Sequence, residues 1–316
     1  TAILASDEYL GREPSTPGEE ITVAYIAEQF EALGLQPLNG DSWYQDVPIS
    51  SMTPQPAAMH ISGADFKRSL QFGSEMTAAT QQQVDRVSLS NSPMVFAGYG
   101  INAPERGWND YEGIDVSGKT VVVLVNDPGF ATQDPELFNG NTMTYYGRWT
   151  YKYEEAARQG AAALLIVHET APAAYPWSVV ELGFTGPQLG ITAEDKNAGL
   201  TDVEGWITHE VAEELLAAAG LDYQQLKAEA VKPGFRAVPM GDLTASIELE
   251  LDTTTSNSRN VAGVLPGSKY PDETIVYTAH WDHFGARQGE DGELLIYNGA
   301  VDNASGVAGL LGLARL

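Results

Sequence analysis

The sequence predicts an α/β chain of two domains. A strand–helix–strand series with glycine stops runs through its middle, and an amphipathic helix stands near its start. Its 316 residues, 43% hydrophobic and 19% charged, are ample for a large buried core and suit two domains better than one.

The elements follow in order. Pro17-Gly18-Glu19-Glu20 gives a helix an acidic first turn, which favours the positive end of its dipole. Val23, Ile26, Ala27, Phe30 and Leu33 continue it as one apolar stripe, and Gly34 stops it. Gln36 to Ser90, rich in Pro, Ser and Gln, reads as loops and short strands. Met94 to Ala97 is a short strand ending in Gly98-Tyr99-Gly100. Lys119 to Val125 is nearly all β-branched, the mark of a strand buried on both faces. A helix over Tyr151–Gln159, stopped by Gly160, and a buried strand over Ala162–Val167 complete a right-handed parallel crossover. A second helix runs from His209 to Ala219 and closes at Gly220. Ser246–Leu251 alternates as a strand with one wet face. Asn260–Leu265 and Thr274–Ala279 read as two more strands about the turn Pro266-Gly267. Asn303–Leu316 reads as a helix whose apolar positions Val307, Leu310, Leu311 and Ala314 demand a partner layer. It has no stop signal, and the chain is expected to be cut inside a larger α/β domain.

Composition excludes whole classes. Against 43 Asp+Glu stand 17 Lys+Arg, a formal net charge of -26 that repels phosphate backbones, so no nucleic-acid partner is expected. No apolar run approaches the ~20 residues that span a bilayer. The absence of cysteine removes disulfides, thiolate zinc sites and cysteine nucleophiles. No Gly-x-Ser-x-Gly elbow and no phosphate-cradling loop occurs. The chain begins at Thr1, as a mature product does after removal of a targeting peptide.

Chemistry concentrates near the end. Ala279-His280-Trp281-Asp282-His283 follows the expected Thr274–Ala279 strand, and functional residues of open α/β sheets gather at strand carboxyl ends. His280 and Asp282, two apart in an extended segment, point the same way, an arrangement that suits a histidine ligand oriented by a carboxylate. Asp302 lies between a glycine-containing turn and a helix start, where a short carboxylate can reach across the sheet and bridge metal ions. Histidine plus carboxylate suits zinc. On spacing alone, His-x-Asp pairs are more often surface or hydrogen-bonded residues. His60, His168, His209 and His283 are read as non-ligands: His209 opens a helix, but position 213 is Glu, so the zincin helix motif is absent.

These residues carry a resemblance. Thr278 to Gly285, followed by Tyr297 to Gly306, resembles the first half of the active site of the co-catalytic di-zinc aminopeptidases, the family of aminopeptidase Y and glutamate carboxypeptidase II. Leu4 to Glu13 with Pro17-Gly18 is similar to that family's lead-in. Phe96 to Ile101, Asp115 to Leu124 and Tyr151 to Glu169 resemble its inserted protease-associated domain. The resemblance implies a mixed-sheet zinc-exopeptidase core, incomplete here, in two segments, 1–50 and 246–316, around an inserted α/β domain over 51–245. It implies two zinc ions, with His280 binding one, Asp302 bridging both, and Asp282 orienting His280. It also implies that the Asp302–Asn303 bond is cis. The family's general-base glutamate and remaining ligands match no residue of this chain.

The implied function is hydrolysis of peptide bonds by a secreted or periplasmic aminopeptidase, a metal-bridging water attacking the scissile carbonyl. Its substrates are peptides or proteins, and the inserted domain restricts access rather than doing chemistry. The resemblance leaves two other classes open: a non-catalytic binding protein resembling the transferrin receptor, and a glutaminyl cyclase of the same fold.

Overall fold

The computed structural model describes residues 1–289 and 291–316 and divides into two compact units, one of residues 50–254 and one of residues 1–49 with 255–316.

A mixed sheet forms the 50–254 unit. Its centre is parallel: Arg86–Phe96 beside Thr120–Leu124, then Ala163–His168, then Val203–Thr208. Val238–Val261 flanks this centre antiparallel on one side and Met76–Ala79 on the other. Central strands must bury both faces, and the alternation shows it. Val121, Val123, Leu164 and Ile166 face one core with Tyr153, Ala156 and Val180 of the helices Trp149–Arg158 and Trp177–Thr185. Val122, Leu124, Leu165 and Val167 face the other, with Val211, Leu215 and Leu226 of the helices His209–Ala218 and Tyr223–Ala230. Trp177–Thr185 and Tyr223–Ala230 were not anticipated, each being short and opened without an acidic turn.

Ser246–Leu251, expected to open the second core segment, lies instead inside Val238–Val261, its residues Ile247 to Glu250 in register on Arg86–Leu89. The reason is continuous burial: Leu243, Ala245, Ile247, Leu249 and Leu251 are all buried on one face, an alternation that passes through the register shift between Ala245 and Ile247.

The same sheet buries an acid. Glu204, 4% exposed, accepts from Gln81 (2.8 Å) and Thr201 (3.3 Å), and burial pushes its carboxyl from 4.5 up to about 7. Below pH 4.5 both folded and unfolded chains hold this proton. Between 4.5 and about 7 only the folded chain does, so stability falls as pH rises through that window and the loss is complete above it. The ceiling is about 3 kcal/mol. Asp110 and Lys152, buried in the same unit, are each moved to about 7 by burial, and comparing a variant with wild type cancels their part. Glu204→Gln is therefore expected to match wild type near pH 4, to exceed its unfolding free energy increasingly from pH 4.5 to about 7, and to keep that margin above it. A difference independent of pH, in urea titrations, would refute this.

The other unit is built on two helices. Pro17–Ala32 starts after Thr16, whose hydroxyl accepts from the Gly18 N–H at 3.2 Å, with proline in the first turn. Val23, Ile26 and Phe30 pack with Leu4, Tyr9, Trp281, Ala304 and Val307, the last from helix Ser305–Arg315. Short antiparallel ladders join Gln36–Pro37 to Gly263–Val264 and Ala286–Gln288 to Leu294–Ile296.

Thr274–Ala279, expected as a strand, carries no regular structure and contributes no strand to the large mixed sheet. Ile275, Val276 and Tyr277 are 79%, 74% and 62% exposed. A β-branched run becomes a strand only beside a neighbour that takes its hydrogen bonds, and among the described residues none pairs with it. Asn260–Leu265 is likewise reduced to the end of Val238–Val261 and the two-residue Gly263–Val264. Among the described residues no helix is long and apolar enough to cross a membrane.

Candidate metal centre

The segment bearing His280 is irregular, and Trp281 anchors it. That ring is 9% exposed within the core of the 1–49/255–316 unit, and its Nε1 donates to the Arg259 carbonyl at 3.0 Å. With Trp281 inward, His280 and Asp282 on either side face out. The segment bearing Asp302 is anchored by Ala304 and Val307, 0% and 3% exposed. It turns at Gly299, whose backbone is left-handed (φ 51°), and the Asp302–Asn303 bond is cis. Asn303 Oδ1 then accepts the Gly306 N–H at 3.0 Å and starts the helix.

These anchors bring the three residues together. His280 Nε2 stands 3.1 Å from Asp302 Oδ1. On the other side of the ring, Nδ1 stands 3.3 Å from Asp282 Oδ1 and 3.2 Å from the Asp282 carbonyl. The side chains are 54%, 67% and 45% exposed for His280, Asp302 and Asp282. Each ring nitrogen faces a carboxylate, so the tautomer with its proton on Nδ1 donates to Asp282 and turns the Nε2 lone pair toward Asp302, whereas the other tautomer donates from Nε2 to Asp302. In the first tautomer the Nε2 lone pair and the Asp302 carboxylate are two donor atoms aimed at one point, as ligands of a cation are. The donor set fits zinc: two ligand atoms on one tetrahedral zinc stand about 3.4 Å apart, close to the observed gap. It is also incomplete, for among the described residues no group of three or more His, Cys, Asp or Glu side chains could hold a metal ion.

The other histidines lie apart. His60 Nδ1 contacts Ser69 Oγ at 2.9 Å, His168 Nε2 contacts the Tyr175 carbonyl at 3.0 Å, and His209 lies 3.3 Å from Glu213. The backbone N–H of His283 donates to the Arg12 carbonyl at 3.1 Å.

Two features escaped the sequence. Arg12 is fully buried and spends its guanidinium on main-chain carbonyls of Leu4, Trp281, Asn298 and Gly299. Burial pulls its pKa down, opposed by the charges of Asp282 and Asp302. The second lies in the 50–254 unit. There, Glu169 meets Lys227 at 2.5 Å and His209 at 3.8 Å on the lining of a cavity of about 610 Å³, beyond the carboxyl ends of three parallel strands.

Comparison with known proteins gives the following. No curated protein matches. Among solved structures, the chain is similar to an aminopeptidase from Aneurinibacillus sp. strain AM-1, at 21% identity and TM-score 0.44, over 99% of this chain and 56% of that one. It is similar to BSAP, a zinc aminopeptidase from Bacillus subtilis, at 19% identity and TM-score 0.36, over 98% and 54%. A Peptidase M28 precursor from Shewanella amazonensis SB2B gives 18% and 0.35, over 99% and 58%. The chain thus spans a little over half the length of the solved structures it matches. Residues 260–316, the stretch that holds His280, Asp282 and Asp302, match the profile of Peptidase family M28.

Proposed function

We propose that this chain carries the first half of the metal site of a zinc-dependent exopeptidase, an aminopeptidase acting on peptides. The observation that carries the reading is the facing pair His280 Nε2 and Asp302 Oδ1 at 3.1 Å, with Asp282 on the far side of the ring. The Peptidase family M28 match over the same residues supports it.

His280 and Asp302 would hold the metal, and a carboxylate, with two oxygens, could serve a second ion as well. When bound, zinc supplies polarisation of the scissile carbonyl and activation of water. Asp282, 3.3 Å from Nδ1, would accept the Nδ1 proton and so fix the tautomer and orientation of the ring. The general base is assigned to no residue of these 316. The 50–254 unit is read as the inserted protease-associated domain, acting on substrate choice rather than on chemistry. Its site of action is read as secreted or periplasmic.

Two measurements test this. Full-length protein should lose peptidase activity to a chelator and regain it with zinc; activity that survives prolonged chelation would overturn the reading. The 316-residue chain alone should bind zinc weakly and turn over no aminoacyl reporter, because two ligands stand where a closed zinc site wants four. Calorimetry showing two tight equivalents would mean that other ligands exist in this chain.

A further inference from the structure

We propose that Arg12 is the positioning residue of this site, its buried guanidinium fixing the separation of His280 and Asp302 before any metal binds. For its consequence the proposal rests on the zinc reading above; for its geometry it does not.

His280 and Asp302 lie on different stretches of chain, and both side chains are more than half exposed, so their own packing does not hold them at 3.1 Å. Arg12 joins the stretches. Its Nε donates at 2.8 Å to the carbonyl of Trp281, the residue between His280 and Asp282. Its Nη1 and Nη2 donate to the Asn298 and Gly299 carbonyls at 2.8 Å each, in the turn that leads to Asp302. Nη1 also reaches the Leu4 carbonyl. The planar fork serves all four acceptors at once, which a lysine's single nitrogen cannot do. None of these partners is a carboxylate, so the side chain works as a cross-link between backbones and not as half of an ion pair. The backbone repeats the stitch: the His283 and Gly285 N–H groups donate to the carbonyls of Arg12 (3.1 Å) and Gly11 (3.0 Å).

The conformation that delivers this side chain is unfavourable in itself. Leu10, Gly11 and Arg12 all have left-handed backbones, φ 50°, 67° and 54°. Only the glycine adopts that region freely. Such outliers persist where the surroundings over-determine them, and they cluster at functional sites. Here the surroundings are the four carbonyls.

Arg12→Gly separates the two roles, since glycine accepts the left-handed backbone and removes only the guanidinium. The measurements are a metal-free crystal structure of the 316-residue chain and zinc titration by calorimetry, with His280→Ala as the zinc blank. We expect Arg12→Gly to fold, to open the His280 Nε2–Asp302 Oδ1 distance beyond about 4 Å, and to weaken the His280-dependent zinc binding 10- to 100-fold. Added guanidinium ion should restore part of that binding, whereas urea should not. An unchanged distance overturns the proposal whatever zinc does. An opened distance with no His280-dependent zinc binding in wild type supports the positioning role and overturns the metal reading instead. If Arg12→Gly does not fold, Arg12→Lys takes its place, with the same distance criterion.

Discussion

Replacing His280 by alanine, or Asp302 by asparagine, in the full-length protein is expected to cut zinc-dependent peptide hydrolysis by about 10²- to 10³-fold, a loss of roughly 3–4 kcal/mol of transition-state stabilisation. Each change removes one protein ligand from a site where a catalytic zinc has about three. Asp302→Asn keeps the volume and loses the charge, so its effect isolates the carboxylate. Asp282→Asn should cost less, about 10- to 100-fold, because the ligand atom stays and only the tautomer and tilt of His280 are disturbed. Since the three side chains are 54%, 67% and 45% exposed, none of these variants should shift the unfolding midpoint of the metal-free protein measurably, whereas with zinc present the ligand variants lose the stabilisation that bound metal gives. kcat/KM on an aminoacyl reporter, zinc content by atomic absorption and thermal unfolding together check the order. Wild-type zinc content and turnover in His280→Ala would remove this histidine from the site.

What was legible in the sequence was whatever a short window contains. The helix after Thr16 declares its start through proline and acids and its buried face through Val23, Ile26 and Phe30. Lys119–Val125 could be read as a strand with two dry faces because every residue from Thr120 to Leu124 is buried on one side or the other. Thr274–Ala279 has the same β-branched character, yet forms no strand, because pairing is supplied by other segments and leaves no trace in the run itself. The candidate site divides in the same way. His280, Asp282 and Asp302 stood out through local motifs, and the structure brings them together. Arg12 did not, since an arginine in a loop reads as a solvated charge. Its acceptors on the carboxyl-terminal side are main-chain carbonyls 269 to 287 residues away, which no side-chain pattern records. Glu169 and Lys227, 58 residues apart, were hidden for the same reason.

A glycine inside a strand is a weak element former, and its presence there signals close approach of another backbone. Gly205 is such a case. It sits in Val203–Thr208, opposite Leu165 on the parallel side and Ala78 on the antiparallel side. A Cβ there would be driven into the Thr77 carbonyl oxygen and would stand 3.3 Å from Leu165 Cδ2. Neither neighbour can retreat. Thr77 and Leu165 are both 0% exposed, the Trp206 N–H is bonded to Thr77 Oγ1 at 3.2 Å, and the Tyr153 hydroxyl is bonded to the Gly205 carbonyl at 3.1 Å. Overpacking of a well-filled core costs about 1–3 kcal/mol, and a clash with backbone on an inner strand belongs at the top of that range or above it. Gly205→Ala is therefore expected to destabilise the 50–254 unit by at least about 3 kcal/mol. It should also disturb the environment of Trp206, which is fully buried next to it. Urea unfolding followed by tryptophan fluorescence and far-UV circular dichroism checks both. An unchanged midpoint would mean that Met76–Ala79 does not lie against Val203–Thr208, and the antiparallel edge of this sheet would have to be redrawn.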